Sequence, residues 1–403
     1  MENNNLAEEW KKVKLSDLGK ILTGNTPPTK CEEYYNSNDV MFIKPDDLKE
    51  NTLNKINNSK AYISLSGVEK ARKVPAGSIL VTCIGIIGKV AVVEDEACFN
   101  QQINTIIPDT SKVEGKFLGY AILKYNYLLR AVANAPIVPI INKTQFSDIE
   151  IMIPPLETQK KIVEVLEKAE KALEKRKEAN KLLDELVKSR FIEMFGDPIS
   201  NPKNIKQVYL KEISELITKG SSPNWQGIEY VDDETQTLFV TSENVREGYI
   251  DLSKKKYLMD EFNDKQKRSV LKKGDFLINI VGASIGRAAQ FNLEIKANIN
   301  QAVALVRLKQ GLINDKYLLT YLNSPKALQM YETMQVSVAR ANLSLQNIND
   351  LEILLPPIEL QNQFANFVKQ VDKLKFEMES SLKELENNFN SLMQKAFKGE
   401  LFN

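Results

Sequence analysis

The chain has 403 residues, is 43% hydrophobic and 27% charged, carries a formal net charge of +1, and contains no histidine. Its length suits two or three soluble domains, and no run of about 18 apolar residues offers a membrane span. Without histidine, Ser-His-Asp and Cys-His nucleophile schemes cannot be built from this chain, and the scattered Cys31, Cys83 and Cys98 make neither a disulfide framework nor a zinc site, so no metal site is expected.

The N-terminus, Met1 to Lys14, is polar and lacks the apolar stretch of a signal peptide, which points to the cytoplasm. Short β-rich runs follow, such as Ser78 to Ile84, and Val113 to Tyr127 reads as a helix. A Pro154-Pro155 pair then opens a long helical stretch, roughly Glu157 to Phe195, because proline pre-sets the backbone at a helix start and Glu157 favours the first turn. Ile162, Leu166, Ala169, Leu173, Leu183 and Val187 recur at three- and four-residue steps, a heptad seam interrupted by Arg176 and Asn180. Gly196-Asp197-Pro198 is the stop signal.

After that stop the chain repeats itself. Lys14 to Thr23 recurs as Tyr209 to Thr218, and Met41-Phe42-Ile43 as Leu238-Phe239-Val240. Pro75 to Val81 recurs as Lys272 to Ile278, Gly85 to Lys89 as Gly282 to Arg287, and Asn100-Gln101 as Asn300-Gln301. Ser147 to Glu157 recurs as Asn349 to Glu359. Six ordered matches at a nearly constant offset indicate duplication, and the period is too long for a solenoid. Phe276 to Val281 reads as a strand run and Asn314 to Asn323 as a helix. A second long helix, roughly Leu360 to Phe397, carries Leu360, Phe364, Phe367, Val371, Leu374, Met378, Leu385, Phe389 and Leu392 in the same rhythm. The expected fold class is α/β (α+β): two similar domains, residues 1–157 and 199–359, each running into a long helix, 158–198 and 360–403, with the helices forming an antiparallel coiled coil.

A globular domain ending in Ile153-Pro154-Pro155-Leu156-Glu157-Thr158-Gln159, repeated as Leu355-Pro356-Pro357-Ile358-Glu359-Leu360-Gln361, each before a heptad helix, resembles the specificity subunits of type I restriction–modification systems. The ending Lys395-Ala396-Phe397-Lys398-Gly399-Glu400-Leu401-Phe402 is similar to that family's usual one. The resemblance implies that each globular half is a target-recognition domain reading one half of a bipartite DNA target. It implies that the helices are spacers that dock two methyltransferase (modification) subunits, with restriction subunits completing the full complex. It also implies double-stranded DNA as partner, no membrane, and no cofactor in this chain; S-adenosylmethionine, and ATP with Mg for cleavage, would sit in the partner subunits. The geometry agrees: a helix of about 35 residues is roughly 50 Å long, the span of about 15 base pairs. Divergent loops, Thr29 to Asp39 against Asn224 to Thr235, predict an asymmetric target. With a net charge near zero, basic residues must cluster on one face or a partner must share the phosphate contacts.

Candidate DNA-binding residues lie in loops that follow matching strands. Lys89, in the loop from Gly85, and Ser284 and Arg287, in the loop from Gly282, stand where glycines would let backbone approach DNA and where a basic tip could reach a phosphate or a guanine edge. The bland reading is a tight turn with a solvated tip. Lys44 follows one strand, and Thr241, Ser242, Asn244 and Arg246 follow its twin; scaffold alike with loop divergent is the pattern of variable readout, or of ordinary solvated loops. Asn100-Gln101 and Asn300-Gln301 carry adenine-pairing amides, but their recurrence in both halves favours a structural role. Trp225 is either a stacking or positioning residue or a core contact that tethers its loop. Off the seam, Val163, Val165, Leu182, Leu186 and Phe376 leave a second apolar face for a partner helix. Methyltransferase chemistry is disfavoured because both Pro-Pro pairs sit between aliphatic residues. Asp275 with Glu294-Ile295-Lys296 has nuclease-like spacing, but the first half has no counterpart. The alternative to a DNA reader is a coiled-coil adaptor or scaffold without sequence readout.

Overall fold

The computed structural model describes residues 10–133, 138–335 and 342–402; residues 1–9 of the polar N-terminus lie outside them. The chain divides into two compact units, residues 1–177 with 381–403, and residues 178–380.

The first unit is built on β1 (Gly19–Thr23), β2 (Val40–Ile43), β3 (Ile79–Thr82), β4 (Val90–Val93), β5 (Ala97–Phe99) and β6 (Ile103–Pro108). β3 and β4 are continuous runs of buried residues, the composition of strands covered on both faces. They lie inside a five-stranded sheet ordered β1, β6, β3, β4 and Leu53–Ile56. A second sheet places Tyr62–Ile63, β2, β5 and Lys73–Val74 side by side, with β2 and β5 parallel. The helix α1 (Gly115–Lys124) is capped by Glu114, whose carboxylate accepts from the Phe117 amide at 2.6 Å. It buries Phe117, Leu118, Tyr120 and Ala121 in the core that also holds β3 and β4 residues.

The first residues of α2 (Leu156–Phe195) also belong to this unit. Lys55 and Lys116 both reach Glu167 at 2.7 Å, and the Tyr120 hydroxyl donates to Glu170 at 2.8 Å. Burial raises the pKa of Glu170 above the usual carboxylate range.

The second unit repeats the plan with β7 (Ser214–Lys219), β8 (Thr237–Val240), β9 (Phe276–Asn279), β10 (Ala288–Gln290), β11 (Ala297–Ile299) and β12 (Val303–Leu308). One sheet runs β7, β12, β9, β10; the other runs Tyr230–Val231, Tyr257–Leu258, β8, β11, again with a parallel pair, β8 and β11. α3 (Asp315–Leu322) occupies the place of α1, and α4 (Ile358–Lys398) begins as α2 does, directly after a Pro-Pro pair. The duplication read from the sequence is therefore a duplication of topology.

The glutamine that follows each Pro-Pro pair has a defined task. Gln159 and Gln361 are buried, and each side-chain oxygen accepts from a backbone amide at the start of the preceding helix: Glu114 at 2.9 Å and Asn314 at 2.8 Å. Each side-chain nitrogen donates to the first proline carbonyl, Pro154 at 2.9 Å and Pro356 at 2.7 Å. One amide thus satisfies groups at two helix starts that burial would otherwise leave unpaired, a penalty of about 1–3 kcal/mol for each group.

Within each unit the long helices pack lengthwise. In the first, Ile162, Leu166 and Leu173 share a core with Phe389, Met393 and Phe397, and Lys177 pairs with Glu386. In the second, Lys375 meets Asp184 at 2.7 Å, and farther along α2 the Arg190 guanidinium lies 5.7 Å from the Phe367 ring centre. Rising numbers on α2 meet falling numbers on α4, so the pairing is antiparallel. Phe191 and Phe195 then close on Tyr317 and Phe364.

Two positions depart from the heptad reading. Val163, expected off the seam, is buried in the first unit's core. The first turns of α2 pack on the globular core as well as on α4, so their buried arc is wider than a two-helix seam. Leu374, expected on the seam, is 45% exposed.

Candidate nucleic-acid interface

Strand order brings four loops to one end of each unit. In the first, β1 ends at Gly24, whose amide donates to Ile103 O at 3.0 Å, where β6 begins. β2 ends beside β5, since the Asn100 amide donates to Ile43 O at 3.1 Å, and β3 ends where Cys83 N donates to Gln102 O at 2.8 Å. The loops after β1, β2, β3 and β5 therefore emerge together. The second unit does the same: Gly220 N to Val303 O at 3.4 Å, Asn300 N to Val240 O at 3.1 Å, and Ile280 N to Ala302 O at 2.9 Å. The parallel pairing of β2 with β5, and of β8 with β11, puts two strand C-termini side by side at this edge, where connecting loops are free to carry function.

The candidate residues fall on these ends. Lys44 is exposed, and Lys89, half-buried, donates through Nζ to the Pro45 carbonyl at 3.3 Å, so the two loops of the first unit touch. In the second unit Ser242, Asn244, Arg246, Ser284 and Arg287 line one cavity of about 340 Å³ together with Glu243, Asp251, Ser253 and Lys254. Beneath it Asn279, fully buried, donates to Ser242 O at 3.0 Å, Val245 O at 3.3 Å and Ser284 Oγ at 3.1 Å, binding the two loops into one surface. Arg246 stands 3.5 Å from Asp251, whose carboxyl is held below the usual range by hydrogen bonds from Ser253 and by the Arg246 charge.

Thr241 and Asn244 do not present themselves as outward contacts. Both are buried; Asn244 Oδ1 accepts from the Thr241 amide at 2.9 Å and hydroxyl at 3.0 Å, and its Nδ2 donates to Asp251 O and Lys254 O at 3.0 Å each. Their polar atoms are spent shaping the loop, which leaves Ser242, Arg246, Ser284 and Arg287 as the groups with spare donors.

The paired glycine loops use their freedom inward as well as outward. Gly88 and Gly286 have φ of 84° and 86°, and a Cβ there would meet Asn126 at 1.8 Å or the Tyr331 ring at 2.5 Å. The left-handed backbone, with the protein's own side chains packed close beside it, accounts for glycine at these two positions. The recurring asparagines form matching turns, Asn100 accepting from Gln102 N and Asn300 from Ala302 N, each at 3.1 Å.

Of the apolar residues expected to leave a second helix face, Leu182, Leu186 and Phe376 are exposed and lie in the second unit, Val165 is half-buried in the first, and Val163 is the buried exception already described.

Three further features bear on chemistry. Asp275 is buried and bound by two of the Arg307 guanidinium nitrogens, Nε at 2.8 Å and an Nη at 2.7 Å, while Glu294 pairs with Lys273 at 2.7 Å. The nuclease-like spacing is thus occupied by structural ion pairs. Burial pushes the Cys83 thiol up to about 12 and Cys98 to about 11, so neither supplies a thiolate. The larger depression in the first unit, about 970 Å³ and lined by Lys11, Gly19, Asp109 and Pro154 among others, lies at the end of β1 and β6 opposite the loops. Among the described residues no helix is long and apolar enough to cross a membrane.

Comparison with known proteins places this architecture. The family model described as the type I restriction modification DNA specificity domain matches twice, over residues 7–183 and 202–387. The MjaIX type I restriction enzyme specificity subunit of Methanocaldococcus jannaschii is 24% identical over 423 residues, covering 98% of this chain and 94% of the relative. The EcoBI specificity subunit of Escherichia coli is 23% identical over 420 residues, covering 98% and 86%. Among solved structures, a chain from work on complex assembly and conformational transition of the type I R-M system superposes with a TM-score of 0.62 at 19% identity, covering 98% of both chains. The type I S subunit from M. genitalium gives 0.54 at 16% identity over the same coverage. With two matched copies spanning most of its length, each on a loop-bearing sheet unit that runs into a long helix, the chain belongs to the type I restriction–modification DNA specificity family.

Proposed function

We propose that this chain is the non-catalytic, sequence-reading DNA subunit of a type I restriction–modification enzyme. Each loop-bearing end reads one half of a bipartite, asymmetric target; the α2 and α4 helices set the gap and dock two methyltransferase subunits, with restriction subunits completing the enzyme. The observation that carries the reading is a scaffold whose central strands recur in the same order in both units while the loops at one end differ. Lys44 and Lys89 occupy that end in the first unit, and Ser242, Arg246, Ser284 and Arg287 in the second. Arginine suits bidentate contact with guanine edges or phosphates, and serine accepts or donates to either. On this reading methyl transfer from S-adenosylmethionine, and cleavage driven by ATP with Mg, belong to the partner subunits.

The test is co-expression with the cognate methyltransferase subunit, followed by single-molecule mapping of methylated adenines. A gapped asymmetric motif that vanishes when this chain is omitted is expected; the same methylation pattern without the chain would sink the reading.

Two predictions separate the roles of the helices. A matched heptad removed from each, residues 174–180 and 381–387, keeps the seam in phase and shortens the pair by about 10 Å. The mapped gap is then expected to shrink by roughly one to three base pairs with both half-sites unchanged; altered half-sites would refute the ruler. For docking, Leu186→Asp and Phe376→Asp change exposed residues. Each is expected to cut recovery of the methyltransferase on the affinity-tagged chain about tenfold, as removal of an apolar interface anchor does, while the chain's melting temperature stays put. Full recovery from both variants would move the docking face elsewhere.

A further inference from the structure

Trp225 is a tryptophan whose side chain the fold leaves largely uncovered. It is 75% exposed, yet the loop that carries it is firmly held. Pro223 is buried beneath it, the Ile228 amide donates to Pro223 O at 3.1 Å, and Gly227 closes the turn at φ 67°. Gln226 is fixed twice, its Nε2 donating to Ser221 Oγ at 3.2 Å and its carbonyl accepting from Lys265 Nζ at 3.1 Å. The loop does not need the indole to hold its shape, so the core-tether role does not apply.

The loop leaves β7 at the same end as the loops around Arg246 and Arg287. At its root Gly220 is pressed on β11, where a Cβ would stand 1.8 Å from Ile299 O. The first unit has the same root: a Cβ at Gly24 would stand 2.1 Å from Asn100 O, and Pro27 is buried as Pro223 is. Counting from these matched glycines and prolines, Thr29 stands where the second unit has Trp225. One scaffold thus presents a small polar tip in one half and a rigidly mounted indole in the other. Two uncommitted cations belong to the segment that holds this loop: Lys265, itself paired with Glu261 at 2.8 Å, donates to the Gln226 carbonyl, and Lys267 and Arg268, two and three residues on, are exposed and have no carboxylate partner among the described residues. Exposed aromatics beside cations hold single-stranded nucleic acid by stacking on bases while the cations meet phosphates, and on a duplex a rigid apolar side chain can wedge at a partly unstacked base step.

We infer that Trp225 is a specificity-determining residue of the second half-site, packing its indole against the bases at the edge of that half-site. The inference rests on the DNA-reading function proposed above. It assigns the second half-site an apolar contact, sensitive to the shape and stacking of one base step, that the first half-site lacks.

The experiment uses the assembled chain–methyltransferase complex and target duplexes substituted at single base pairs. Trp225→Ala is expected to lower methylation of the intact target about 10- to 100-fold, in line with the loss of one stacked base. It should also flatten discrimination at one or two adjacent positions of the half-site read by the second unit. The first half-site, the melting temperature and methyltransferase recovery should not change, and Trp225→Phe should restore most of the loss. Unchanged discrimination in Trp225→Ala, while Arg287→Ala relaxes the same half-site, overturns the inference and leaves the DNA-reading function standing. If both variants leave that half-site intact, the loop end is not the reader and both fall. Lost methyltransferase recovery with discrimination intact would make Trp225 a protein contact and overturn the inference too.

Discussion

Arg307→Ile is expected to destabilise the second unit by about 3–5 kcal/mol, and adding Asp275→Ser is expected to return most of it. Asp275 is buried, with 2% of its side chain exposed, and the Arg307 guanidinium grips it with two nitrogens while a third hydrogen bond runs to Val270 O at 3.2 Å. That hydrogen-bonded carboxylate raises the Arg307 pKa further. Removing the arginine alone leaves a buried carboxylate without its counter-charge, which costs about 3–5 kcal/mol. Replacing both members with an uncharged pair of suitable size is close to neutral. The first unit already contains that solution. β3 pairs Ile79 with Ile106 of β6 as β9 pairs Phe276 with Val306 of β12, so Ser78 stands in for Asp275 and Ile107 for Arg307. Ser78 is buried and turns its hydroxyl to Pro75 O at 2.7 Å, needing no charge. Urea unfolding of the full chain, with proteolysis to locate the weakened unit, reads both variants. A double variant as unstable as the single one would show that something other than the uncompensated charge sets the cost.

Exchanging residues 199–359 for the same region of another family member is expected to replace one half-site and leave the other, and the gap, as they were. Methylation of the original target should fall by about 1,000-fold or more, because each mismatched base pair costs about 1–3 kcal/mol and the costs add over separated positions. The structural ground is that each unit has its own core, its own three sheets and its own loop end. The scaffold hydrogen bonds that gather the loops, such as Asn300 N to Val240 O, stay within the unit. Methylated-adenine mapping of the chimaera gives the result directly, and simultaneous loss of both half-sites in a folded, assembled chimaera would contradict modular reading.

The sequence by itself determined the duplication, the two long helices and the family. These rest on local signals: a repeated order of apolar runs, a heptad period, and proline pairs that pre-set helix starts. It also marked the loops proposed to read DNA, since a strand followed by a divergent polar stretch is visible in both halves. It did not determine which loop side chains have atoms to spare. Thr241 and Asn244 look as available as Ser242 and Arg246 until the fold brings the carbonyls of Asp251 and Lys254 to the Asn244 amide. Nor could periodicity foresee that Val163 would be buried, because the globular core against the first turns of α2 adds a second packing partner. The Asp275–Arg307 pair joins neighbouring strands across 32 positions, and Gln159 links a helix start to another 45 positions away. Hydrophobic pattern is a property of neighbours along the chain, whereas the use of a polar atom is decided by whatever the tertiary structure places within about 3 Å of it. That is why the fold was legible in the sequence while narrowing the proposed site to Ser242, Arg246, Ser284, Arg287 and the exposed Trp225 needed the tertiary structure.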